Sequence, residues 1–232
     1  MQMLSHPPVT DTEFSSEGFN VADVLDQRAI SMRKRRKRVH SRAALIAAAA
    51  RELERVGYEA LTIEGISEAA GMARGTFYLY YKNRSDIISV VMRFYWFLLA
   101  KYRPRGGQEL SLNETVHRAN HYTVHVVARN SRLLLGREAL MAENHALARR
   151  LDALNDGWAD WVVKTLTARG IITNVDEDPA FHHMRAQAVI GMSDVLLRDI
   201  YRSAELEEAP EPVDLDLVVR VLDDLWVRCL GS

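Results

Sequence analysis

The sequence predicts an all-α protein, and three observations lead there. Apolar residues recur every three or four positions over long stretches. No alternating apolar–polar run is long enough for a strand. Only six prolines and twelve glycines interrupt the 232 residues, so long helices are permitted.

Residues 1–30 are polar, with Pro7, Pro8, Gly18 and several Ser and Thr. They read as a loosely attached arm, within which Val21–Ile30 can form a short helix. Next come Arg33-Lys34-Arg35-Arg36-Lys37-Arg38, six bases in succession. Such a run cannot build a core and is either solvated or bound to an anion. Regular structure is expected from Ser41, where Ala43, Ala44, Ile46, Ala47, Ala50, Leu53 and Val56 keep a helical period up to a stop at Gly57. Thr62 then offers a hydroxyl N-cap to a short helix through Ala70. Gly71 ends it, and a second short helix runs from about Ala73 to Leu79. Two short helices joined through a glycine make a helix-turn-helix pattern. From Ser85 a long apolar helix is expected to reach Tyr102, followed by a loop at Pro104–Gly107. Further helices are expected over Leu112–Arg129, from Asn130 to about Glu143, over His145–Arg169, from about Pro179 to Ser203 and over Val213–Leu230.

The overall charge of −1 hides an asymmetry. Residues 1–27 carry five acids and no Lys or Arg, whereas residues 28–84 carry thirteen bases against five acids. A basic block on a near-neutral chain is the footprint of a nucleic-acid contact. The single cysteine, Cys229, excludes an internal disulfide and a Cys-x-x-Cys zinc site, and suits a reducing cytosol. The apolar stretch around Ile87–Ala100 is too short for a membrane span. The N-terminus lacks the basic-then-apolar order of a signal peptide. No Ser-His-Asp order, Gly-rich phosphate loop or His-Glu-x-x-His motif points to an enzyme, and no cofactor is implied.

The informative segment is LTIEGISEAAGMARGTFYLYYKNRSD, from Leu61 to Asp86. Ile63, Ile66, Ala70, Met72 and Phe77 supply the small or apolar contacts that two crossing helices need. The second helix then offers Arg74, Gly75, Thr76, Tyr78 and Tyr80, a set able to reach base edges and phosphates from a major groove. Gly75 is a poor helix former and suggests close approach to something. Tyr81 is expected in the core instead.

The stretch from Ser41 to about Val91 resembles the DNA-binding domain of the TetR (tetracycline repressor) family, whose signature is matched from Gly71 to Arg84. The resemblance implies that Thr62 binds a phosphate, that Arg74, Gly75 and Thr76 face bases or backbone, and that Tyr78, Tyr80 and Lys82 anchor phosphates. Gly65 departs from the family pattern, at an expected loss of about 1 kcal/mol relative to Ala. Arg35 and Arg36, in the basic run, could enter a minor groove as an arm or act only as a solvated tail. The acids of residues 1–27 could fold back on these bases when DNA is absent.

The resemblance further implies a larger C-terminal domain with an inducer pocket and a two-fold dimer interface. The expected division is a flexible arm over 1–40, a DNA-binding domain over 41–86, and a ligand-binding and dimerisation domain over 87–232. The expected partners are a palindromic DNA operator, a small apolar or aromatic inducer and a second copy of the chain, with no membrane. Candidate pocket residues are Trp96, His121, Tyr122, His125, Trp158 and Trp161. His117, His121 and His125 share one helical face, but the first and third stand about 12 Å apart, so a polar stripe or pocket wall is favoured over a metal site. His182 and His183 are expected at the surface or an interface. Candidate interface residues are Met184, Ala188, Gly191, Val195, Leu222 and Trp226, because the last two helices carry too much apolar surface to leave exposed.

Overall fold

A computed structural model describes residues 18–104, 109–173, 178–206 and 212–230. Eleven helices order these residues, and no strand occurs among them. They are α1 (Val21–Ser31), α2 (Lys37–Ala60), α3 (Ile63–Ala69), α4 (Arg74–Tyr78), α5 (Arg84–Tyr102), α6 (Leu112–Arg129), α7 (Ser131–Leu135), α8 (Arg137–Glu143), α9 (His145–Ala168), α10 (Pro179–Leu206) and α11 (Leu215–Leu230).

Local chemistry sets most of the helix ends. The Thr62 hydroxyl caps α3 by accepting from the Gly65 N–H, and Asn83 caps α5 by accepting from the Asp86 N–H. Ser111 and Glu114 form a reciprocal capping box at the start of α6. Gly57 (φ +75°) breaks α2 before its last turn, and Gly71 (φ +64°) carries the chain from α3 to α4. Both need the positive φ that glycine adopts without strain. The expected single helix from Asn130 to Glu143 is two, α7 and α8, meeting at Gly136. A Cβ on Gly136 would lie 2.4 Å from Cβ of Tyr58, so this junction is pressed against the end of α2.

The first helices and the later ones share one core. Leu45, Leu53, Ile66, Phe77, Ile87, Val91, Tyr122, Val126, Leu133, Leu140 and Leu147 belong to the same buried cluster, which spans α2 to α9. Two further clusters join α9 to α10 and α11, and α6 to the same pair.

Reading residues 1–40 as a flexible arm is corrected from residue 18 onward. Phe19, Val21, Ala22, Val24 and Leu25 are buried against that shared core. Asn20 caps α1 and donates to Glu54 and to the Arg129 carbonyl. Asn130, itself buried, accepts from the Val21 N–H and donates to the carbonyls of Phe19 and Val126. The segment therefore straps α2 to α6. Residues 1–17 lie outside the described residues, and with them three of the five acids. The other two do not fold back on the basic run, since Asp23 and Asp26 both pair with Arg51 of α2.

Replacing Asn130 with Ala leaves the Val21 donor and two carbonyls without this partner. Stability is expected to fall by about 2 kcal/mol, read as a lower midpoint of chemical unfolding at unchanged slope. An unchanged midpoint would show that the strap contributes nothing.

Candidate nucleic-acid interface and ligand cavity

The short helix α4 stands at the surface on a fixed base. Phe77 is fully buried beneath it, and Tyr81 is buried beside Phe77 with ring centroids 5.8 Å apart. These two rings anchor the helix from below. Its outward positions are Arg74, Gly75 and Tyr78, all exposed, with Thr76 half-buried, while Lys82 is exposed just beyond it. Leu79 is 75 % exposed, the most exposed large apolar side chain among the described residues. Tyr80 is half-buried and packs against the core, so its ring is less available than that of Tyr78.

A Cβ on Gly75 would meet nothing within 4 Å. The fold itself places no demand for glycine there, so the bare backbone suits close approach by an outside molecule. Gly65 is different: a Cβ there would come 3.2 Å from the Thr62 hydroxyl and 3.4 Å from a Glu52 carboxylate oxygen. That crowding at the cap of α3 accounts for a small residue at this position.

Arg74 pairs with Glu64 and donates to the Tyr78 hydroxyl at 3.2 Å. Both contacts are exposed and weak enough to be exchanged for phosphate. Thr62 is exposed at the start of α3. Arg35 and Arg36 are exposed in the turn before α2, and the last two bases of the run, Lys37 and Arg38, already belong to that helix.

Away from this face, a cavity of about 240 Å³ opens among α5, α6, α9, α10 and α11. Trp96, Trp158 and Trp161 line it. The other pocket candidates stand elsewhere. Tyr122 is buried in the shared core, where burial raises its phenol well above the ordinary value. His121 and His125 stack on each other with centroids 4.1 Å apart and are not among the lining residues. His117, on the same face, pairs through Nδ1 with Asp223 of α11 at 2.8 Å. No group of three or more metal-ligating side chains occurs among the described residues.

The lining also contains a residue that the sequence reading passed over. Arg103, at the C-terminal cap of α5, places its guanidinium carbon 4.3 Å from the Trp158 ring centroid and 3.9 Å from that of Trp161. Burial pulls this group down to about 10, so it is still charged at neutral pH.

A second overlooked residue joins the cavity helices to the α3–α4 unit. Glu143, the last residue of α8, accepts from the Tyr58 hydroxyl at 2.8 Å and from Arg84 at 2.9 Å. Arg84 also stacks over the Tyr58 ring and donates to the carbonyls of Tyr58, Glu59 and Leu61, at the junction of α2 and α3. Partial burial alone would raise the Glu143 carboxyl, but the bonds from Arg84 and Tyr58 outweigh it and hold the group below the ordinary glutamate value. The next residue, Asn144, caps α9 and donates to Ser89 of α5.

The interface candidates divide. Met184, Ala188, Gly191 and Val195 are exposed along one face of α10, with Phe181 continuing the stripe, and Gly191 also borders the cavity. Leu222 and Trp226 are corrected. Leu222 is only 1 % exposed inside its own subunit, and Trp226 lines the cavity and donates to the Ser193 hydroxyl. The outward apolar residues of α11 are Leu217 and Val221 instead. His182 is likewise buried, while His183 pairs with Asp160.

An exposed, acid-poor short helix braced across a second helix, beside a helical bundle with a cavity, is the arrangement of a helix-turn-helix unit joined to a larger helical domain. Residues 45–91 match the family of bacterial regulatory proteins, tetR family. The matched segment runs from α2 into α5 and contains α3 and α4. The fold agrees over most of the chain's length. The fatty acid degradation regulator FadR from Bacillus halodurans superposes with a TM-score of 0.57 at 18 % identity, covering 82 % of this chain and 95 % of that one. A TetR-like transcriptional regulator from Rhodococcus sp. RHA1 gives the same TM-score and identity, covering 85 % and 100 %. No curated protein matches the chain in sequence. No described helix is long and apolar enough to cross a membrane.

Proposed function

We propose that the chain is a homodimeric repressor that grips a palindromic operator and leaves it when a small apolar or aromatic molecule fills the cavity. Residues 41–86 form the DNA-binding unit in this reading, residues 87–232 hold the effector and the second subunit, and α5 belongs to both. Residues 18–40 are a strap and basic shoulder rather than a free arm. Such a role would place the protein in the cytosol with its DNA.

Arg74, Gly75, Thr76 and Tyr78 enter the major groove, while Thr62, Lys82 and the half-buried Tyr80 hold phosphates. Arg35 and Arg36 add attraction at the flank. The second copy seats on the exposed face of α10 and α11. Phe181, Met184, Ala188, Gly191 and Val195 recur at alternating three- and four-residue steps there, the spacing of a helix-packing seam. Two copies present two recognition helices, hence a two-fold operator.

The observation that carries this reading is the Glu143 junction. One carboxylate ties the helices walling the cavity to the residues that carry α3 and α4. Its test is operator binding to the DNA upstream of the chain's own gene, measured by gel shift. Arg74→Ala is expected to weaken binding about 5- to 150-fold without moving the thermal midpoint, because the side chain is exposed. Full binding by this variant would remove α4 from the DNA.

A further inference from the structure

We infer that the effector is an apolar molecule carrying one negatively charged headgroup, and that Arg103 receives that headgroup. This rests on reading the cavity as the effector site.

The charge balance of the cavity is the starting point. Its described lining contains three arginines, Arg103, Arg137 and Arg169, and one carboxylate, Asp194. That carboxylate is already held by Arg137 through two hydrogen bonds. Arg169 directs donors at the carbonyls of Leu110 and Ser111. Arg103 has neither kind of partner among the described residues: its contacts are the rings of Trp158 and Trp161. The rest of the lining is dominated by apolar side chains such as Leu99, Leu151 and Val162.

A charge in such surroundings is costly unless it is paired. Three other partly buried arginines do have a carboxylate partner: Arg137 with Asp194, Arg84 with Glu143 and Arg198 with Glu138. Aromatic stacking recovers part of the cost for Arg103, but it uses the faces of the guanidinium. The N–H donors in its plane stay free for a carboxylate, which they match as a fork. A carboxylate arriving at Arg103 would gain a charge-assisted contact in a poorly hydrated place, and its apolar remainder would lie against the tryptophans and leucines. A neutral molecule of equal size would leave the cation as it is.

The test compares decanoate with decanol, equal in chain length and different in headgroup charge. Binding is followed by tryptophan fluorescence, since Trp158 and Trp161 flank Arg103, and by thermal shift. In the unaltered protein decanoate is expected to bind about tenfold or more tightly than decanol. R103Q should abolish that preference while leaving decanol binding in place, and R103K should keep part of it through its charge. Equal affinities for acid and alcohol in the unaltered protein would overturn the headgroup assignment and leave the cavity standing as a site for neutral molecules. A preference for the acid that survives in R103Q would overturn it as well. Binding of neither probe would count against the cavity as the effector site, and this assignment would fall with it.

Discussion

Changing Met184 and Val195 together to Asp is expected to yield a monomer that no longer holds operator DNA. Met184 is 68 % exposed and Val195 44 %, and neither belongs to a buried cluster of its own subunit. The fold should therefore tolerate both carboxylates. Across a two-fold seam the same four carboxylates would face one another and an apolar surface, where unpaired charge is strongly disfavoured. Losing the second copy removes the second half-site contact, and linked binding of that kind is worth about 10²- to 10⁴-fold in affinity. Light scattering should give the mass of one chain, circular dichroism should stay helical, and the gel shift should vanish at concentrations where the unaltered protein binds fully. Leu222→Asp is the contrasting control, because that side chain is buried among Val218, Val219 and Leu197 and should cost folding itself. A double variant that stays dimeric would move the subunit contact off α10.

The distinction between Leu217 or Val221 and Leu222 or Trp226 shows where sequence reading stops. Apolar residues at 217, 218, 219, 221, 222, 225 and 226 cover more than one side of α11. Periodicity says that the helix is buried on a broad arc, and cannot say which part meets its own subunit. The α3–α4 unit was legible because its constraints are local: a hydroxyl cap, a glycine turn and a buried Phe77 within sixteen residues of one another. Helix α1 was only half legible. Its burial depends on Asn130, more than a hundred residues away, and its polar surroundings resemble a free arm. Arg103 is one of thirty Lys and Arg residues in the sequence, and nothing near it in the chain marks it out. Its meaning comes from two tryptophans on another helix. The histidine stripe misled for the opposite reason. The spacing put His121 and His125 on one face correctly, but that face turns away from the cavity and holds the rings against each other.

Glu143→Ala is expected to leave a protein that still binds its effector and its operator but no longer links the two. The wild-type arrangement has one carboxylate joining Tyr58, at the end of α2, to Arg84, at the start of α5, from the end of α8. Helix α9 follows directly and supplies Leu151, Trp158 and Trp161 to the cavity wall. Any shift of α9 forced by a bound molecule therefore reaches Tyr58 and Arg84 through a junction only two residues long. Arg84 in turn holds the α2–α3 corner by donating to the carbonyls of Tyr58, Glu59 and Leu61, and the corner sets the angle of α3 and α4. An effector shifts the balance only by its differential affinity for the two arrangements, typically about 1–3 kcal/mol. Without the carboxylate that difference should shrink toward zero, read as the ratio of operator affinities with and without effector approaching one. Acid should imitate the substitution. Because the Glu143 carboxyl is held below the ordinary glutamate value, its contribution is complete above that ordinary value and is lost as the pH falls through the lowered one. Glu143→Gln should accordingly behave at neutral pH as the unaltered protein behaves in acid. If either variant released DNA as readily as the unaltered chain when effector is added, the signal would have to pass through the shared core along α5 instead.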